Sequence, residues 1–283
     1  EGWVSNSENK DLEKPIPFSD LGISSAKALG KVVLVHRWFS PPSAAIRALL
    51  NYYQVTQDRI IMDMPFKSSV SKSTYKLVPQ LLIFSNSQNA YFQVNDSWVI
   101  LKNVYTVLSG CDVTEDIGDD VAVKELTCKI PLALLKDEHA REGGTTDFAR
   151  HFMGAEGWLP PLKWVCYMLV KPKFEKLQQK FPETFQSKIK WFMEQIRSRS
   201  SSQFYSKADE PGPVDVFLYG YICCTMSLCS DLGKEDESWV ANDLRAAGAM
   251  EWFQAVDVAY RARSDEKVVP DHAKQEVSSS FYF

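Results

Sequence analysis

A chain of 283 residues with 45% apolar side chains has the length for one large or two modest domains and the material for a sizeable core. Its net charge of −4 and pI near 5.7 argue against a surface built to neutralise nucleic-acid phosphates. No stretch reaches the ~18 apolar residues that a membrane span requires. The longest uncharged run, 216–230, carries Ser, Thr and Gly and reads as a core helix.

The six cysteines, Cys111, Cys128, Cys166, Cys223, Cys224 and Cys229, lack zinc-ligand spacing. The adjacent Cys223 and Cys224 sit in an apolar run, as buried thiols of a reducing compartment would. His36, His139, His151 and His272 show no ligand spacing either, so no metal site is expected.

In chain order, residues 1–29 are polar, hold Pro15 and Pro17, and read as an N-terminal extension. Residues 31–39 (KVVLVHRWF) predict a strand. Residues 44–55 predict a helix with Ile46, Leu49, Leu50 and Tyr53 on one face. A second strand is expected at 59–64, then a loop or short helix at 65–77. Runs 81–84 and 91–94 suit a hairpin across the polar turn at 85–89. Asn95-Asp96-Ser97 opens a helix over 98–108 that Gly110 ends. The order β-α-β-α-β-β-α therefore fills a domain at 30–111, followed by an acidic linker at 112–125.

From 126 to 263 the periodicity is helical, with candidates at 130–138, 146–153, 158–170, 182–199, 214–231 and 240–261. The aromatic segment 158–170, interrupted by Lys163, predicts a buried helix, with contact to a membrane or partner surface as the alternative. Residues 197–202 (RSRSSS) predict a solvated loop, and 264–283 a polar tail that closes on Phe281-Tyr282-Phe283.

Three places carry the candidate chemistry. Ser40-Pro41-Pro42-Ser43 lies between strand and helix, where a C-x-x-C pair often stands, and both cysteine positions read serine. Ser40 suits an N-cap and Pro41 the first helical position. The functional alternative has the Ser40 hydroxyl donating to a bound thiolate near the helix N-terminus. Thiol–disulfide exchange needs a thiolate, which neither Ser40 nor Ser43 supplies. Val78-Pro79, just before a strand, suggests a cis peptide bond that turns the Val78 main chain toward an extended ligand; a plain strand-opening proline is the alternative. Asp96 and Ser97 start a helix and could anchor an α-amino acid end, or simply cap.

Taken in this order and spacing, these residues resemble the glutathione transferase superfamily: a thioredoxin-like α/β domain followed by an all-helical domain. Within it the chain resembles the membrane-associated prostaglandin E synthase 2 family. That resemblance rests on Lys76-Leu77-Val78-Pro79, on the run from Gln93 to Ile100, on Phe152-Met153-Gly154, and on Pro211-Gly212-Pro213-Val214-Asp215 with Leu218-Tyr219-Gly220. It implies that Val78, Pro79, Asp96 and Ser97 are a vestigial glutathione cradle, and that Asp215 starts a core helix. The departures are local. Both thiols are replaced, Arg37 stands near the family's upstream tyrosine, and 171–180 holds lysines where the family has arginines.

Two functions follow as expectations. The resemblance implies a non-catalytic accessory subunit of a mitochondrial, inner-membrane-associated complex, with no cofactor. Its partners would be other protein subunits held through the terminal tails and the helical domain, with contact to a membrane surface and none to nucleic acid. The alternative is a glutathione-dependent transferase or isomerase in which Ser40 activates bound glutathione.

Overall fold

A computed structural model describes residues 2–5, 23–38, 40–61, 78–85, 90–110, 125–140, 172, 176, 179, 182–199, 202–206, 208–229 and 237–269. The first domain is built on a five-stranded mixed sheet. Its strands are β1 (Gly2–Ser5), β2 (Val32–His36), β3 (Gln57–Ile61), β4 (Gln80–Ser85) and β5 (Ala90–Asn95), in the spatial order β1-β5-β4-β2-β3. β2 pairs with β3 in parallel, while β4 runs antiparallel to both β2 and β5. Helix α1 (Ala26–Leu29) precedes β2, α2 (Pro41–Tyr52) joins β2 to β3, and α3 (Ser97–Ser109) follows β5. Strands β3, β2, β4 and β5 with their helices form a thioredoxin-like domain.

Central strand β2 reads Val-Val-Leu-Val-His because both of its faces are covered. Val32 and Leu34 enter the main core with Leu81, Ile83, Phe92 and Val94 and the apolar faces of α2 and α3. Val35 and Leu82 form a small cluster on the opposite face, lined by Val33, Ile60 and Val78. Strand β2 ends at His36, short of the expected Phe39, because the carbonyls of Arg37 and Trp38 turn to the Arg47 side chain instead of a strand. The N-terminal segment also differs from a plain extension: β1 extends the sheet in parallel beside β5, from Gly2 opposite Ala90 to Ser5 opposite Gln93.

The second unit is helical. A π-helical turn (Glu125–Lys129) leads into α4 (Ile130–Ala140), followed by α5 (Phe185–Arg199), α6 (Pro213–Cys229), α7 (Trp239–Ala246) and α8 (Met250–Arg263). The expected helices at 146–153 and 158–170 lie outside the described residues. The expected single helix at 240–261 is two helices, because Gly248 takes φ +68° and breaks the run. Ser238 caps α7, accepting a hydrogen bond from the Ala241 amide at 3.2 Å.

α6 is the centre of this unit, and its start is fixed by one buried carboxylate. Asp215 accepts from the Tyr205, Ser206 and Gly212 amides (3.0, 3.4 and 3.1 Å) and from Trp252 Nε1 (2.9 Å). Burial pushes its carboxyl above the ordinary range, and these four donors pull it back. Asp215 therefore gathers the loop before α6, the helix start and α8, the folding role expected of it. α6 also lies along α2 in the closest helix contact between the two units. Gly220 makes this possible: a Cβ there would stand 2.6 Å from Ala48 Cβ and 2.9 Å from the Ala44 carbonyl.

Candidate functional site

The expected site residues come from three elements that meet at one end of the sheet. Register sets this meeting: Val35 pairs with Gln80, and Gln80 with Asn95, so the turn after β2, the Val78-Pro79 peptide and the start of α3 lie at the same end of neighbouring strands. The Val78-Pro79 bond is cis, as the sequence suggests. The Asp96 amide donates to the Pro79 carbonyl at 3.3 Å, which brings the second and third motifs into direct contact.

Ser40 is the N-cap of α2. Its hydroxyl oxygen accepts from the Ser43 amide at 3.4 Å, and its carbonyl takes the Ala44 amide at 2.9 Å. The helix begins at Pro41, the first helical position that the capping pattern suits and three residues ahead of the run that periodicity predicts, because prolines fit the first turn of a capped helix. Ser40 is only 8% exposed and Ser43 is fully buried. Ser43 Oγ has no hydrogen-bond partner among the described residues.

Asp96 caps α3, accepting from the Trp98 amide at 3.4 Å, and holds a left-handed φ of 73°. Burial raises its carboxyl above the usual range, opposed by the Trp98 and Ser97 amides. That weakens it as an anionic partner for an amino group. Ser97 is buried, and Val78 is half-buried. On the face of the sheet shared with Val35, Gln93 Nε2 donates to Gln80 Oε1 (3.1 Å) and to Asn95 Oδ1 (2.7 Å), all three side chains being buried. Asp96 and Ser97 thus stand together at the start of α3, where Asp96 serves as the helix cap. At the thiol end, both serines are closed in by the fold.

One residue that sequence reasoning passed over organises the turn. Arg47, on the second turn of α2, is fully buried among acceptors that are all neutral. Its guanidinium donates to the carbonyls of Arg37 (3.0 Å), Trp38 (3.0 Å) and Val268 (2.9 Å) and to His36 Nδ1 (3.2 Å). It also stands 4.9 Å from the centre of the Trp38 ring. Burial lowers its pKa to about 10, still charged at neutral pH. Because a guanidinium only donates, His36 Nδ1 accepts and its proton sits on Nε2, which is buried without a partner among the described residues. Burial, then the charge of Arg47, drives the His36 pKa down to about 3. The available sequence signal was a polar stripe, Ser40, Ser43, Arg47 and Asn51, on a helix whose other positions are mostly apolar.

Cys224 of α6 is a buried cysteine whose Sγ lies 3.9 Å from the Trp38 carbonyl, and Cys223 beside it is a half-buried free thiol. Burial pushes the Cys223 thiol well above its usual range, the opposite of nucleophile activation. Among the described residues, no group of His, Cys, Asp and Glu side chains could hold a metal ion.

No family model and no curated protein matches the sequence. Solved structures of similar layout include a glutathione S-transferase from Rhodospirillum rubrum F11, 14% identical over 87% of this chain and 99% of that one, with a TM-score of 0.45. A glutathione S-transferase of Ceriporiopsis subvermispora in complex with glutathione is 12% identical over 82% and 96%, at 0.46. A rice enzyme in complex with glutathione is 17% identical over 89% and 98%, at 0.42. The strand and helix orders themselves define the architecture: a thioredoxin-like domain followed by a helical domain, as in glutathione transferases.

Proposed function

We propose that this chain is a non-catalytic subunit with a glutathione-transferase-type fold, of prostaglandin E synthase 2-like ancestry, serving a mitochondrial membrane-associated complex. The observation that carries this reading is the state of the two thiol positions. Both hold serine; one spends its oxygen as a helix cap, and the other is fully buried. The loop that leads to them is tied down by Arg47, and the turn holds no thiol. The polar chain ends, closing on Phe281-Tyr282-Phe283, suit docking to partner subunits. Among the described residues no helix is long and apolar enough to cross a membrane. The proposed membrane association is through partner subunits or contact with the membrane surface.

The second reading is a glutathione-dependent transferase or isomerase with Ser40 as the activating hydroxyl. What favours it is the placement of Asp96 and Ser97 at a helix N-terminus beside the Pro79 carbonyl. Calorimetric titration with millimolar glutathione, together with conjugation and isomerisation assays, separates the two. We expect no turnover in either the native protein or Ser40→Ala, with the substitution costing about 1 kcal/mol of stability as a lost cap. Turnover that disappears in Ser40→Ala would establish the enzyme.

A further inference from the structure

The chain after α8 turns back onto the thioredoxin-like domain and climbs α2. Tyr260 Oη accepts from Asn51 Nδ2 at 3.1 Å, and the Arg263 guanidinium lies 4.6 Å from the centre of the Tyr52 ring. Glu266 forms an ion pair with Arg59, with Nη2 2.7 Å from Oε2 and Nη1 also donating to Oε1. Asn51 Nδ2 donates to the same carboxylate at 3.5 Å, and Asn51 Oδ1 in turn accepts from Arg59 Nη2 at 3.0 Å. Arg47 then takes the Val268 carbonyl, and Val268 and Val269 are buried. As the chain advances from 263 to 268, its partners on α2 run back from Tyr52 to Arg47, toward the Ser40 end of the helix.

We propose that residues 264–269 are an intramolecular latch, and that Arg47 couples the latch to the Ser40 turn. The coupling follows from shared donors. Arg47 Nη2 serves the Trp38 and Val268 carbonyls together, while Nη1 serves the Arg37 carbonyl and His36. A buried guanidinium that loses one acceptor keeps a desolvated N–H without a partner. It is driven to move, and the two loop carbonyls it holds go with it. Lifting the latch therefore frees Arg37, Trp38 and residues 40–44, including the Ser40 cap, whereas a closed latch fixes them. The Arg59–Glu266 pair is the outer catch, since Glu266 is partly exposed and Arg47 is not. This device stands whether or not the chain is a subunit. It gives any partner that grips the C-terminal end a mechanical route to the turn where the family's chemistry would sit.

Hydrogen exchange on the full chain tests the proposal without altering Arg47, whose loss could unfold the protein. Glu266→Arg sets like charges at the catch. Exchange should quicken about tenfold at 264–269 and at the amides of Ser40, Ser43 and Ala44, while Phe185–Arg199 keeps its native protection. Adding Arg59→Glu restores the pair with its charges exchanged and should return both regions to native protection. A rise confined to 264–269 would overturn the coupling, and unchanged exchange at 264–269 would overturn the latch. A rise spread equally over Phe185–Arg199, or a failure of the double variant to restore protection, would overturn both.

Discussion

His36 shows how a single buried side chain sets a property of the whole protein. Its imidazole is neutral because burial and the Arg47 charge hold its pKa near 3, whereas the unfolded chain titrates in the ordinary range. A native pKa below the unfolded one means that stability is complete above the unfolded value. It is lost as the pH falls below about 6.5, because only the unfolded state takes up the proton. Lowering the pH from about 7.5 to about 5 should therefore remove about 2 kcal/mol through this one group. His36→Gln, which keeps a side-chain oxygen for Arg47, should lack that component. Urea unfolding of both proteins at the two pH values measures the difference, and an equal acid loss in the variant would assign the effect elsewhere. None of this was legible in the sequence. His36 could be read there only as a strand residue without ligand spacing, since its burial and its arginine arise from α2 packing back over the end of β2. Ser40 and Asp96 were legible because capping is a local act: each meets a backbone N–H two or three residues along the chain. The role of Asp215 followed only from the resemblance, since Tyr205, Ser206 and Trp252, three of its four partners, lie 9 to 37 residues away.

At the scale of elements, β2, α2, β3, the β4–β5 hairpin and α3 followed from periodicity, a proline and a closing glycine, while the loop or short helix expected at 65–77 lies outside the described residues. The uncharged run at 216–230 likewise became α6, the buried central helix of the second unit. Two elements were hidden for a physical reason. β1 and the 264–269 latch are short segments set in stretches that are polar as a whole, and their partners stand far away in sequence, so no local pattern announces them. The break in the last helix could have been read from Gly248, which was passed over inside an otherwise helical pattern. The α2–α6 contact gives the test of how the two units are joined. Gly220→Ala improves helix propensity, yet its Cβ would stand 2.9 Å from the Ala45 Cα as well as meeting Ala44 and Ala48. The overpacking should outweigh the propensity and cost about 1–3 kcal/mol in chemical denaturation. A neutral or stabilising result would mean that the two units can part without penalty.

At the scale of the molecule, a thioredoxin-like domain is joined to a helical one through α2 and α6. The cis Val78-Pro79 peptide and the α3 N-terminus meet at one end of the sheet, beside a turn that carries two enclosed serines and a buried arginine. Our central claim is that such a molecule works through its surfaces, as part of an assembly. The most direct measurement isolates the full chain from its native source under mild detergent and sizes it by native electrophoresis. We predict that it migrates within a membrane-associated complex far larger than its own 32.2 kDa. A free, soluble species with the mass of one or two copies would contradict the claim.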